Sequence, residues 1–445
     1  MPRIVIISPP FFSHARPLSV LAAALRERGA DVHFACSEAF EDLAVRAGAR
    51  FVPLTVTRNA NTGVAEATEQ EAAEAARLGE FLDATRHGAV PALMTQARHR
   101  RADMLADPEG VLAELRALDE RLRPDWYVVD QLGYAVTLGL HCLGVRYATF
   151  CPGHPTYVLA GPDSYFGVPY DWPAALRPDP RRLADLTAAA RENDDAFTAL
   201  FEAFARTEAP AAPTPGRAFA LTSPDAVLYS YPELPWLPVP PAGPEHVYAG
   251  HMVGAVEPLD DDWSRRLRRL RERADRVVLV ALGTFLSARD DVLRAVVSGV
   301  VDGTDSTAVV VAAGRRTAAL ADLAGDRVVV APSVPQQSLL AHVDAMVHHG
   351  GNNSFTECLR FGVPALVLPF SSDQFAVARD AERAGVGVVR DPNTLSPRDV
   401  PAVLHFLTTT VRDRMGRWVR QAGERGPDHA AARLLAVMGE PAPAR

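Results

Sequence analysis

Twice along this chain of 445 residues, short apolar runs alternate with segments whose apolar residues recur at helical spacing, and a proline-dense middle separates the two series. In the first series, residues 3–8 read as a buried strand. Leu18, Leu21, Ala22 and Leu25 then share one face of a helix over 17–28 that Gly29 stops, and 32–35 is the next strand. A strand over 126–129 ends in Asp130, a helix runs through Leu140, and 146–150 returns as strand. The second series places strands at 277–281, 308–312, 328–330, 345–347 and 365–368. Alternation of this kind predicts α/β architecture: two doubly wound parallel sheets with helices on both faces and sites at the C-terminal ends of strands. The length fits two domains rather than one. Proline-dense stretches at 208–217 and 232–244 and an acidic run at 257–262 set the boundaries: a first domain over 1–231, a linker over 232–265, a second domain over 266–427 and a helical tail over 428–445.

Composition narrows the function classes. The formal net charge is −8 and every basic residue is arginine, a balance unlike that of a general nucleic-acid binder. Cys36, Cys142, Cys151 and Cys358 are scattered without metal-ligand spacing, as expected in a reducing cytoplasm. The N-terminus enters the run Ile4 to Ile7 directly and then meets Pro9 and Pro10, unlike a secretory leader, and no apolar stretch is long enough to cross a bilayer. The acidic triplet Asp260, Asp261 and Asp262 lies beside an arginine-rich run and reads as a solvated charge cluster rather than a metal site.

The segment 349–374 carries the most chemistry. After the strand over 345–347 come His349, Gly350, Gly351, Asn352, Asn353 and Ser354, a small-residue turn that opens a helix ending before Gly362. Backbone N–H groups at the positive end of a helix make a site for a diphosphate. The next strand delivers Asp373 and Gln374 to the same sheet edge, a carboxylate and an amide suited to neighbouring sugar hydroxyls. Gly283 and Thr284 offer a second small-residue turn after 277–281. In the first half, His14 follows the first strand, where an imidazole can take a proton from a hydroxyl; the plain alternative is a helix-entry residue facing water. Asp130 ends its strand at the same edge, able to orient His14 or to cap the following helix.

The segment 334–374 resembles the donor-binding signature of the family 1 nucleotide-sugar-dependent glycosyltransferases, which include plant small-molecule glucosyltransferases and bacterial antibiotic glycosyltransferases. The resemblance rests on Pro335, Gln336, Leu340, His349, Gly351, Asn353, Ser354, Glu357, Gly362, Pro364, Pro369, Asp373 and Gln374. It implies the GT-B arrangement, two Rossmann-like domains facing a cleft, with the last helix returning to the first domain. It also implies that His14 is the general base with Asp130 as partner, that His349 and Ser354 meet the phosphates, that Glu357 meets the ribose, and that Gln336 and the Val334 backbone meet the base. Two departures leave the base open between uridine and deoxythymidine: Ser333 stands where many members have an aromatic residue, and Asn352 stands where the plant signature has tryptophan.

The function so implied is inverting transfer of a sugar from an NDP-sugar, UDP or dTDP, to a hydroxyl of a lipophilic small molecule, a secondary metabolite by family expectation. The NDP-sugar is a co-substrate and no metal or other cofactor is expected. The partners expected are that donor and a small-molecule acceptor, with neither nucleic acid nor membrane insertion, and a homodimer is left open. A catalytically silent sugar-nucleotide-binding helper is the alternative from another class, and a lipid-sugar transferase or an epimerase is a third. The aromatic residues Tyr157, Tyr165, Phe166, Tyr170 and Trp172 either line an acceptor pocket or pack their loop down. Phe197, Phe201 and Phe204 repeat at core spacing.

Overall fold

The computed structural model describes residues 1–55, 61–62, 72–103 and 105–439. β1 (Arg3–Ile7), β2 (Asp31–Cys36), β3 (Arg50–Pro53), β4 (Trp126–Asp130), β5 (Tyr147–Cys151), β6 (Ala226–Tyr229) and β7 (Glu245–Tyr248) form one sheet in the order β3-β2-β1-β4-β5-β6-β7. β8 (Arg276–Ala281), β9 (Thr307–Ala312), β10 (Val328–Ala331), β11 (Ala345–His348), β12 (Ala365–Val367) and β13 (Gly387–Val389) form another in the order β10-β9-β8-β11-β12-β13. All neighbouring strands are parallel. Central strands such as β1 and β8 are buried on both faces, which is why they read as unbroken apolar runs rather than alternating ones.

Each sheet reverses its strand order once, between β1 and β4 in the first and between β8 and β11 in the second. Such a reversal opens a crevice beyond the strand ends, where ligands bind in this class of fold. The registers pair Ile7 with Val129 and Ala281 with His348, so Asp130 and His349 each emerge one residue beyond their sheet's reversal.

The structure corrects two element boundaries. The first helix spans Phe12–Glu27 and begins five residues before the expected 17–28, so His14 stands in its first turn and Pro17 inside it. Residues 12–16 carry no apolar period, and a proline reads as a helix start. Proline has no N–H for the carbonyl four residues back, that of Ser13; Asn353 Nδ2, from the second domain, donates to that carbonyl instead at 2.9 Å. The linker placed at 232–265 is also too long. It contains β7, a four-residue edge strand that its proline-rich flank conceals, and the crossing segment shrinks to 249–260. The acidic triplet opens the helix Asp261–Arg273: Asp260 accepts the Trp263 N–H at 2.7 Å, and Asp261 and Asp262 sit at its positive end.

The helix Pro427–Gly439 packs on the first domain, where Ala430, Ala431, Leu434 and Val437 share a core with Leu18, Leu21, Leu25 and Val32. Phe197, Phe201 and Phe204 are buried together with Phe166 and Phe219. The domains also meet through polar groups. Asp380, fully buried on the helix Gln374–Ala384, accepts hydrogen bonds from His154 Nε2 (2.9 Å), Tyr231 OH (2.9 Å), Trp236 Nε1 (2.8 Å) and Tyr170 OH, all from the first half or its end. Burial works to raise its carboxyl, and His154, Tyr170 and Trp236 outweigh that and hold it below the ordinary range.

Candidate functional site

Both reversals open on one cavity of about 780 Å³, lined from the first domain by Phe12, His14 and Tyr157 among others, and from the second by the turns after β8, β11 and β12. His14 Nδ1 lies 2.9 Å from Asp130 Oδ2. The other oxygen of Asp130 accepts the Leu132 N–H at 2.9 Å, and the carboxylate is completely buried behind the histidine. Of the two roles weighed for Asp130, it makes the contact to His14 and does not cap the following helix, which starts later, at Tyr134 with Gly133 as its cap. A carboxylate acceptor places the imidazole proton on Nδ1 and leaves the Nε2 lone pair as a base. The turn carrying His14 is held from outside its helix: Phe12 N–H donates to the Asn61 carbonyl at 2.7 Å, and Asn61 N–H donates to the Pro10 carbonyl at 2.8 Å.

Across the cavity, β11 ends in His348, whose Nδ1 accepts the Gly350 N–H at 2.9 Å. That bond sets the turn, which needs Gly350 at φ +85°. The helix Asn352–Phe361 follows with Gly351 as its N-cap, a residue with no side chain to satisfy the first-turn N–H groups. The His349 ring lies between two glycines: a Cβ on Gly283 would stand 2.5 Å from its Cε1, and one on Gly351 2.7 Å from the same atom. Burial pushes the His349 imidazole down to about 4, so it is neutral at pH 7, and its buried Nδ1 has no partner among the described residues. A neutral ring with one N–H and an adjacent open helix N-terminus is a donor set for oxyanions. Gly283 lines the cavity; the Thr284 side chain lies outside the described residues.

Glu357, one turn beyond Ser354, is buried and accepts from Gln336 Nε2 at 2.6 Å and from Gln337 Nε2 at 2.7 Å. Burial raises its carboxyl, and the two amides and Arg16 oppose the rise. Gln336 Nε2 also lies 3.3 Å from Ser354 Oγ, so its side chain is turned to Glu357 and Ser354, whereas the resemblance assigned it to the nucleobase. Val334 lines the cavity beside Pro332, Ser333 and Gly314, a region of small side chains with no aromatic ring among them.

Three more residues of this segment make contacts within the protein. Asn352 Nδ2 donates to the carbonyls of Pro152 and Ser230, each at 2.8 Å, and so ties the domains together; its Oδ1 is buried without a partner among the described residues. Asn353 Nδ2 is spent on Ser13. Gln374 Oε1 accepts the N–H groups of Phe370 (2.9 Å) and Ser371 (3.2 Å), so it shapes the loop that carries Asp373. Asp373 faces the cavity with Oδ2 on the His154 N–H at 2.8 Å, and burial raises its carboxyl.

Sequence reasoning passed over Gln337, which links Glu357 to Arg16 across the domains (Arg16 Nη2 to Gln337 Oε1, 2.9 Å), and His154, which touches both Asp373 and Asp380. The doubled Gln336-Gln337 was the only signal for the first; nothing local marks the second. Of the aromatic loop, Phe166 and Trp172 are buried in core clusters, Tyr170 is spent on Asp380, and Tyr157 lines the cavity.

Residues 295–422 match the family model described as erythromycin biosynthesis protein CIII-like, C-terminal domain. The chain is 27% identical over 441 residues to demethyllactenocin mycarosyltransferase of Streptomyces fradiae, covering 97% of this chain and 85% of that protein. Among solved structures, the glycotransferase of kitacinnamycin superposes with a TM-score of 0.70 at 22% identity, covering 98% of this chain and 99% of that one. The glycosyltransferase VinC in complex with dTDP superposes at 0.63 and 20% identity, with the same coverage of both chains.

Proposed function

We infer that this chain, a family 1 GT-B glycosyltransferase resembling those of antibiotic biosynthesis, moves a sugar from a UDP- or dTDP-linked donor to a hydroxyl of a lipophilic secondary metabolite, with inversion at the anomeric carbon. The observation that carries the reading is the pairing of His14 with buried Asp130 on one wall of a cavity whose opposite wall is the open N-terminus of Asn352–Phe361 beside neutral His349.

The chemistry follows from that placement. His14 Nε2 takes the acceptor's hydroxyl proton as its oxygen bonds to the anomeric carbon. The bond from that carbon to the diphosphate oxygen breaks, and its electron pair leaves with the diphosphate. Base and leaving group on facing walls suit a single displacement from the far side, which inverts the carbon. Asp130 fixes the tautomer and stabilises the imidazolium. The first-turn N–H groups of 352–354 and the His349 N–H meet the charge growing on the diphosphate. This set performs the role a divalent cation would fill, so activity is expected to survive a chelator. Asp373 holds sugar hydroxyls and Glu357 the ribose. Among the described residues no helix is long and apolar enough to cross a membrane; we place the enzyme in the cytoplasm.

The test crosses UDP- and dTDP-sugars against phenolic and macrolide acceptors, reading products by mass spectrometry for wild type and His14→Ala. Transfer by wild type and a loss of about 10²–10⁴-fold in the variant is expected. Equal product from both proteins would remove His14 as base. Nucleotide binding with no transfer to any acceptor would favour a silent helper.

A further inference from the structure

The loop that presents Asp373 is shaped by the first domain. Ser372, its immediate neighbour, has φ +54°, the left-handed region that side chains other than glycine rarely adopt. Such a residue persists only where its surroundings fix it, and fixed strain of this kind gathers at ligand-gripping loops. The fixing group is Gln96, on the helix Ala89–Asp103 of the first domain. Its Nε2 donates to Ser372 Oγ at 2.8 Å and its Oε1 accepts the Ser372 N–H at 3.0 Å. One amide therefore meets both the N–H and the hydroxyl oxygen of the strained residue. Next to it, the His154 N–H holds Asp373 Oδ2, with Gly153 leaving room: a Cβ there would stand 2.7 Å from that oxygen. On the loop's other side, Gln374 closes back on Phe370 and Ser371, and the Arg289 guanidinium lies over the Phe370 ring at 5.1 Å.

We propose that Gln96 is a positioning residue for sugar recognition: from the first domain it sets the backbone that aims Asp373 at the hydroxyls of the donor sugar. This rests on the reading above, in which Asp373 grips that sugar. The phosphate cradle follows a different strand, β11, and is held by other groups, Gly350 on His348 and Asn352 on Pro152 and Ser230. Gln96 therefore governs affinity for the sugar and not for the nucleotide. Because it sits on the first domain, it also makes the sugar grip depend on how that domain is seated.

Calorimetry separates the two contributions, with dTDP, UDP, dTDP-glucose and UDP-glucose as probes of wild type, Gln96→Ala and Gln96→Glu. In Gln96→Ala the ratio of the NDP-glucose Kd to the NDP Kd is expected to rise about tenfold, the scale of one lost hydrogen bond to a charged group, while the NDP Kd stays within about twofold. Gln96→Glu should restore the ratio, because a carboxylate accepts from both the Ser372 N–H and its hydroxyl, which can turn to donate. In turnover the same defect appears as a raised donor KM. A ratio unchanged in Gln96→Ala overturns the proposal. So does a parallel loss of both affinities, which marks a general structural role, or a wild type that binds the diphosphate and rejects both glucose donors. A wild type that binds no nucleoside diphosphate removes the functional reading itself, a separate outcome.

Discussion

The two strand-order reversals of this molecule have the same topology and opposite uses of it. At the first, between β1 and β4, the backbone of the following turn is already engaged: Phe12 N–H is on Asn61, and the His14 and Ala15 N–H groups are on the Phe11 carbonyl at 2.9 and 2.8 Å. What that turn offers is a side chain, His14, backed by Asp130. At the second, between β8 and β11, glycines at 283 and 351 flank the ring of His349, and a glycine cap leaves the helix N-terminus open. What that turn offers is backbone. One fold thus presents a carboxylate-backed imidazole from one copy of the crevice and an uncapped helix N-terminus from the other. The difference lies in whether the residues after the strand are large and paired or small and bare.

Asp130→Asn should break the first use most severely. The amide that replaces Oδ2 would donate toward His14 Nδ1 and drive the ring proton to Nε2, where no base remains. A loss of about 10²–10⁴-fold in kcat with nucleotide affinity unchanged is expected from steady-state kinetics and calorimetry. Gly351→Ala strikes the second. Its φ of −66° accepts alanine, so the effect is purely the Cβ against the His349 ring. Nucleotide affinity should fall by about 10-fold or more, the scale of a displaced charge-assisted contact, with the His14–Asp130 pair intact; unchanged affinity would show that the ring is not part of the cradle.

A third test uses acid. His251, His348 and His349, in the linker and at the second reversal, are pushed down by burial to about 4, 3 and 4. Each takes up a proton more readily unfolded than folded. Their contribution to stability is therefore complete above the unfolded histidine value of about 6.5 and is lost as pH falls through their folded values. Glu357 and Asp373, whose carboxyls burial raises, act in the opposite sense. Thermal midpoints should fall between about pH 6.5 and 4, and His251→Gln should flatten that slope. The smallest effect is expected for Asn353→Ala, which removes one hydrogen bond between the domains and leaves the Ser13 carbonyl to water: about 0.5–1.5 kcal/mol in urea unfolding.

Much of the fold was legible because parallel strands buried on both faces leave continuous apolar runs, and both sheets left them. β7 was not legible: four residues at a sheet edge, behind a run of prolines, carry too little pattern. In the site, the placement of the 349–354 turn and Asp373 on one cavity could be read since both lie within one strand–turn–helix–strand unit. The amides of Gln336, Asn352, Asn353 and Gln374 could not be placed in the same way, because amides bond to whatever the fold brings near.

The sequence by itself determined two doubly wound halves, the small-residue turn before the helix Asn352–Phe361, and a histidine and an aspartate at the ends of two strands. Those features depend on neighbours in the chain or on the period of burial. Only the tertiary structure decided that Gln96 meets Ser372 across 276 positions and that Asp380 collects four donors from the other half. Hydrogen bonds between side chains are short and directional, and no local pattern in a chain records which distant atom will lie within 3 Å.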